Sequence, residues 1–170
     1  MKKEIKRISL MTAIFLTVAL VSSAVAAGVI PINGTIAGSE IGAPFPNPAE
    51  GFYANGSVTS TDTQLGPFTL FYSLIVDFAF PTPPGAPGAS RLVVGDAANG
   101  DSILTCFFGN AGNPPLCDNG DLHVGSRHTV IGGTGRYAGA RGSYTLDQCV
   151  NLVTGETSGT ISGWVVLRGR

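Results

Sequence analysis

From Phe68 to Phe80 the chain alternates with a period of two. One face reads Phe68, Leu70, Tyr72, Leu74, Val76, Phe78, Phe80 and the other Thr69, Phe71, Ser73, Ile75, Asp77, Ala79. This is the pattern of a β-strand, whose successive side chains point to opposite faces. Thirteen residues at ~3.3 Å each span about 40 Å, long for a strand and common in barrels. A helical fold has little to build on. With 24 Gly and 11 Pro in 170 residues, one or the other interrupts nearly every window of twelve, and no apolar period of 3.6 is sustained.

Seven further segments read as strands: Ile30–Gly38, Phe52–Thr61, Ser90–Val94, Ser102–Phe108, Leu122–Ile131, Tyr137–Cys149 and Ser158–Arg168. The connections Gly42–Pro48, Pro81–Pro87, Asp96–Asp101 and Gly109–Pro115 are rich in turn formers. Segments 42–48 and 81–87 are Pro-rich and read as rigid surface loops, because Pro cannot donate to a central ladder. Neither is a domain linker, since neither flank could bury a core alone. Eight strands joined in sequence predict an all-β fold, an eight-stranded antiparallel up-and-down barrel, which removes sheet edges. A β-sandwich is the alternative.

The N-terminus has the pattern of an export signal. Lys2, Lys3, Lys6 and Arg7 precede an apolar run from Ile8 to Val21, and Ala24-x-Ala26 supplies small residues for cleavage. An uncleaved anchor is the alternative, although the run is barely long enough to span a bilayer. The expected organisation is a signal peptide over 1–26 and a single barrel domain over 27–170, periplasmic or secreted, with no membrane attachment after cleavage. Beyond residue 26 there are six Arg, ten Asp or Glu and no Lys, a net charge of −4. That excludes Schiff-base chemistry, a P-loop and a basic surface for nucleic acid. A charged fraction of only 12% fits self-association into a homo-oligomer. Asn33-Gly34-Thr35 and Asn55-Gly56-Ser57 have the form of glycosylation sequons, but Asn-Gly reads first as turn or bulge chemistry.

The most distinctive passage is Gly132-Gly133-Thr134-Gly135-Arg136-Tyr137-Ala138-Gly139-Ala140-Arg141-Gly142. Gly133-x-Gly135-x-x-Ala138 mimics a dinucleotide fingerprint, but Ser143 to Cys149 alternate like a strand and leave no room for a nucleotide-binding domain. The passage reads instead as a tight hairpin. Gly132, Gly133 and Gly135 permit positive φ, while Gly139 and Gly142 leave room for close approach or a bulge. A Gly-Gly-Thr-Gly-x-aromatic-x-Gly-Ala-x-Gly stretch leading into two strands resembles the allene oxide cyclase and dirigent barrels, and Ala98-Asn99-Gly100-Asp101 matches a turn of bacterial secreted proteins of that superfamily. The resemblance covers residues 90–170 and, by strand count, the first half. It implies an eight-stranded barrel with an apolar cavity, of the kind that in the plant relatives steers cyclisation or coupling of small molecules without metal or cofactor. The motif belongs to the fold, and no plant pocket residue has a match here. The plant relatives are oligomers.

His128 shares a strand face with Leu122, Val124 and Val130. If that face lines the barrel, His128 is a buried imidazole able to act as acid or base. The plainer reading is a core histidine bonded to a backbone or hydroxyl group. His123 and Arg127 fall on the opposite face, where solvation is expected, and histidines on opposite faces do not form a metal pair. Asp96, Asn99 and Asp101, with Asp118, Asn119 and Asp121, lack calcium-loop spacing and read as turn chemistry. No metal and no cofactor is expected. Tyr72 would be a buried phenol in need of a partner, either a cavity ligand or a simple hydrogen bond within the packing. Phe68, Leu70, Tyr72, Leu74 and His128 are the cavity candidates, and no residue is assigned as catalytic. Asp77, near the strand's end, is expected to be exposed.

Three Cys in an exported chain predict one disulfide and one free thiol. With the hairpin centred near Thr134, Cys149 falls opposite position 119, which favours Cys117–Cys149; Cys106–Cys117 is the alternative. Cys106 shares a face with Leu104 and Phe108 and reads as a buried small hydrophobe. Nothing in the spacing points to a Cys–His nucleophile. Three functions fit: a barrel binding a small apolar ligand, whose presence Trp164 would report if near the cavity; a cofactor-free isomerase or cyclase using His128, Tyr72 or Arg127; or a structural or surface-interaction protein with a filled barrel.

Overall fold

The computed structural model describes residues 28–77, 85–95 and 100–167. The expected signal peptide, residues 78–80 of the long strand, residues 81–84 of the second Pro-rich loop, Asp96 and Asn99 lie outside the described residues. Eight strands run in order along the chain: β1 (Val29–Pro44), β2 (Gly51–Ser60), β3 (Phe68–Asp77), β4 (Gly85–Val94), β5 (Asp101–Leu116), β6 (Leu122–Gly133), β7 (Arg141–Val150) and β8 (Glu156–Val166). Each pairs antiparallel with the next, and β8 returns onto β1 to close a barrel. The sandwich is therefore excluded.

Three strands run further than the sequence suggested, absorbing residues read as loop: β1 continues to Pro44, β4 begins at Gly85 and β5 continues to Leu116. Pro114 and Pro115 are tolerated because β5 breaks register against β6 between Ala111 and Leu116, where no ladder donor is needed. The two Asn-Gly pairs are neither turns nor bulges: Asn33 and Asn55 sit inside continuous ladders of β1 and β2.

The C-terminal ends of β1, β3, β5 and β7 lie at one end of the barrel, and those of β2, β4, β6 and β8 at the other, together with Val29. The second end is solid. Leu65, Phe68, Val94, Ile103, Tyr137, Ala140 and Leu167 pack there, with Leu70 buried in the same cluster.

The glycine-rich passage belongs to this closed end. Gly132 and Gly133 finish β6 without the positive φ expected of them; Gly135 (53°) has it as expected, and Gly139 (73°) and Gly142 (157°) have it too. Gly133 is needed for close approach, because a Cβ there would sit 2.5 Å from the carbonyl oxygens of Ser102 and Tyr137. Thr134 locks the turn to β5: its amide donates to Ser102 O (2.8 Å), and its Oγ1 accepts from Ser102 N (3.0 Å). A 3₁₀ turn, Gly135–Tyr137, makes the connection longer than a tight hairpin. Cys149 consequently faces His123 rather than position 119.

Cys117 reaches Cys149 from the β5–β6 turn, with Cα atoms 6.1 Å apart, and the disulfide ties that turn to β7. Cys106 is free and exposed, not buried. Leu104, Cys106 and Phe108 do share a face, but it is the outer one; Ile103, Thr105 and Phe107 point inward.

Candidate functional site

Towards the first end the barrel is hollow. A cavity of ≈ 220 Å³ opens there, walled mainly by Leu74 and Val76 of β3, Leu122 and Val124 of β6, and Leu146 and Val150 of β7. Polar side chains enter its surface at a few points: Glu40, Tyr72, Asn110, Ser126, His128 and Gln148. A mostly apolar concavity with a few convergent polar groups is the usual form of a small-molecule site.

Glycine makes room for the rings that shape the interior. Tyr72 lies opposite Gly56, Phe107 opposite Gly88, and Tyr144 opposite Gly163. A Cβ at any of these glycines would collide with its partner. The Tyr72 and Phe107 rings thus lie over the bare backbone of their neighbours, and at Gly163 the β7 backbone at Tyr144 itself comes close.

His128 forms the floor. Its ring is stacked between Phe107 (centroids 4.4 Å apart) and Tyr144 (4.6 Å). Nδ1 lies 3.1 Å from Ser90 Oγ and 3.2 Å from Thr105 Oγ1, and Nε2 lies 3.0 Å from Ser126 Oγ. Burial without a charged partner lowers its pKa to about 3. His128 is therefore neutral at pH 7, bonded at both nitrogens to hydroxyls, and poorly suited to take up a proton near neutrality. Burial also pushes the Tyr144 phenol up to about 12, so it stays protonated.

The carboxyl on the wall is that of Glu40. Tyr72 Oη donates to Glu40 Oε2 at 3.0 Å. Burial raises the Glu40 carboxyl above the usual carboxylate range, only partly opposed by the Tyr72 bond. Burial and the adjacent Glu40 charge raise the Tyr72 phenol still more strongly, while a hydrogen bond from Gln148 acts the other way. Tyr72 and Glu40 thus form a hydrogen-bonded pair on the cavity wall, with Gln148 beside them in the same lining. Gln148 Oε1 is left buried with no partner among the described residues.

Of the five cavity candidates, Tyr72, Leu74 and His128 line the cavity; Phe68 and Leu70 do not, because they lie deeper in β3, in the packed core. Arg127 is exposed on the outer face, so it offers the cavity nothing. His123 is also outside, though not freely solvated: it contacts Pro114 O (2.8 Å) and Asp147 Oδ1 (2.5 Å), and these bonds raise its pKa. Trp164 is 45% exposed on the outer wall and is no reporter of the cavity. Asp118, Asn119 and Asp121 lie in or beside the β5–β6 turn, where Asn119 bonds Asp121 and Asn151 reaches Asp121 Oδ1 at 2.9 Å. Asp101 pairs with Arg136 at 3.4 Å.

Sequence reasoning missed Glu40, Phe107, Ser126 and Gln148. Glu40 lay beyond the expected end of β1, yet Ile32, Gly34, Ile36 and Gly38 keep its parity and would have carried the strand to it.

No family model matches the chain, and no curated protein matches it in sequence. Its structure is similar to that of a pterocarpan synthase dirigent protein, with a TM-score of 0.55 and 13% identity over 82% of this chain and 90% of that one. The fold is a dirigent-like eight-stranded barrel.

Proposed function

We propose that the protein binds a small apolar molecule in the open end of its barrel. The observation that carries this reading is the division of one interior into two halves. One end is packed solid by the core, and the other is a ≈ 220 Å³ cavity with apolar walls and hydrogen-bonding groups at fixed points. An engineered apolar cavity of about 150 Å³ accommodates benzene, so this one suits a single ring with a short substituent. Export to an oxidising compartment is part of the proposal, supported by the pattern of residues 1–26 and by the Cys117–Cys149 disulfide.

A second reading, a cofactor-free cyclase or isomerase, draws on one observation. Glu40 is a carboxyl with a raised pKa on the cavity wall, hydrogen-bonded to a phenol, which is the form of a general acid–base group. The structural likeness to a pterocarpan synthase dirigent protein gives this reading a precedent in the fold. Native mass spectrometry of the purified protein tests the first reading. A non-covalent adduct lost on denaturation is expected, and its mass gives the class of molecule to test for turnover. The bare protein mass after exposure to candidate ring compounds would count against it.

A further inference from the structure

Near the open end, β5 and β6 fall out of step. Ala111 lies opposite Val124 and the pairing resumes with Leu116 opposite Leu122, so four residues of β5, 112–115, stand against one residue of β6. That residue is His123. A bulge of this kind breaks the ladder and leaves part of the longer strand without its backbone partners. A side chain takes their place: His123 Nδ1 lies 2.8 Å from Pro114 O in the bulge, and Nε2 lies 2.5 Å from Asp147 Oδ1 on β7. The half-buried ring thus ties three strands together on the outer face of the wall. Leu122 and Val124, on either side of it in sequence, line the cavity.

Both partners of the ring are acceptors. A backbone carbonyl has no proton to give, and neither has a carboxylate. Neutral imidazole carries a single N–H, so only the imidazolium can donate to both. The bonds to Pro114 O and Asp147 accordingly raise the His123 pKa above its ordinary 6.5. Losing the proton must break one bond. The charge-assisted bond to Asp147 is the stronger, so the remaining proton stays on Nε2. Nδ1 then turns a lone pair towards Pro114 O, and the contact becomes repulsive. Other charges nearby are engaged elsewhere or do not titrate with the ring. Cys149, directly opposite on β7, is held in the disulfide. Asp121 of the β5–β6 turn is bonded by Asn119 and Asn151, Asp118 there is exposed, and Arg127 lies further along the outer face of β6, opposite Thr145. The bulge itself, Gly112-Asn113-Pro114-Pro115, has no ionisable side chain.

Resting on the ligand-binding reading, we propose that His123 is a proton-operated clasp on the cavity rim, closed as the imidazolium and open as the neutral ring. Closed, it pins the β5 bulge at Pro114 to Asp147 of β7 across β6. Open, it frees the bulge next to Gly109 and Asn110, which line the cavity. The Cys117–Cys149 disulfide holds the turn beyond the bulge in either state. A fixed rim leaves less to be ordered when a ligand enters than a loose one. Because the folded pKa is raised, the clasp is closed at mildly acidic pH and is lost as pH rises through that value. The ligand is therefore held on the acid side and released on the alkaline side.

Two NMR titrations of the purified protein test this, one of the histidine ring resonances against pH and one with 2-phenylethanol, an uncharged probe, at pH 6 and pH 9. His123 is expected to titrate above 6.5, with the amide shifts of Leu116 and Val124 following the same curve. Affinity for 2-phenylethanol is expected to fall about threefold from pH 6 to pH 9, a modest effect because the tie is partly solvated. His123→Gln is expected to remove that fall. If this variant does not fold, Asp147→Asn is expected to lower the His123 pKa and to move the fall in affinity to lower pH by the same amount. A His123 pKa at or below 6.5, equal wild-type affinity at the two pH values, or a fall that persists in His123→Gln and so belongs to Glu40, would overturn the clasp and leave the ligand-binding reading in place. Failure of 2-phenylethanol to bind saturably at either pH would overturn both.

Discussion

Tyr72 reaches Glu40 across an intervening strand. Glu40 of β1 is in register with Gly56 of β2, and Gly56 with Tyr72 of β3, so the three form one row across the barrel wall. The phenol ring lies over the bare Gly56 backbone and its hydroxyl donates to Glu40 Oε2 at 3.0 Å. A single missing side chain therefore sets the geometry of the cavity's polar corner.

The first prediction concerns that row. Gly56→Ala places a methyl group where the Tyr72 ring sits. The ring must move, Glu40 loses its donor, and overpacking adds its own cost. A loss of about 1–3 kcal/mol in unfolding free energy is expected by urea titration. Wild-type stability in the variant would show that the ring does not depend on the glycine.

How far the sequence revealed these relationships depends on which physical signal each left. Period two identified all eight strands, because alternation survives wherever a wall separates inside from outside. It took the wrong face as inner in β5, since Leu104, Cys106 and Phe108 are as apolar as Ile103, Thr105 and Phe107. The structure buries the set containing a threonine because Ser90 and His128 hold its hydroxyl, a partnership among three strands that no local pattern records. Cys arithmetic predicted one disulfide, and the hairpin register, though four residues out, favoured the Cys117–Cys149 pairing that the structure has. The glycines opposite aromatic rings were visible as residues but carried meaning only once register joined them.

The second prediction is a pH dependence. His128 has its pKa lowered from 6.5 to about 3, so between those values the unfolded chain binds a proton that the folded one does not. Its contribution to stability is complete above pH 6.5 and lost as pH falls towards 3, at most about 5 kcal/mol. Glu40 acts with the opposite sign, since its raised carboxyl disfavours the folded state as pH rises above 4.5. His128→Phe keeps a ring between Phe107 and Tyr144 and removes the titration. It is expected to be less stable at pH 7, where Ser90, Thr105 and Ser126 lose their partner, but to lose much less stability than wild type between pH 7 and pH 4. Parallel stability–pH curves for the two proteins would contradict the assignment.

The third prediction concerns the disulfide. Cys117 and Cys149 are 32 positions apart, and closing a loop of that size restricts the unfolded chain by ~3–4 kcal/mol. The Cys117→Ser/Cys149→Ser double variant is expected to unfold at lower denaturant by about that amount. Replacing Cys106, exposed and unpaired, is expected to change stability by less than about 0.5 kcal/mol.

The central claim is that the open half of the barrel is a working binding cavity. The most direct measurement is an amide NMR titration with a neutral single-ring compound, with the shifts mapped onto the fold. Saturable shifts concentrated at Leu74, Val124, Leu146 and Gln148, with the closed end around Phe68 and Tyr137 unmoved, are the predicted result. Shifts that never saturate, or that map to the outer wall around Phe71 and Leu104, would contradict it.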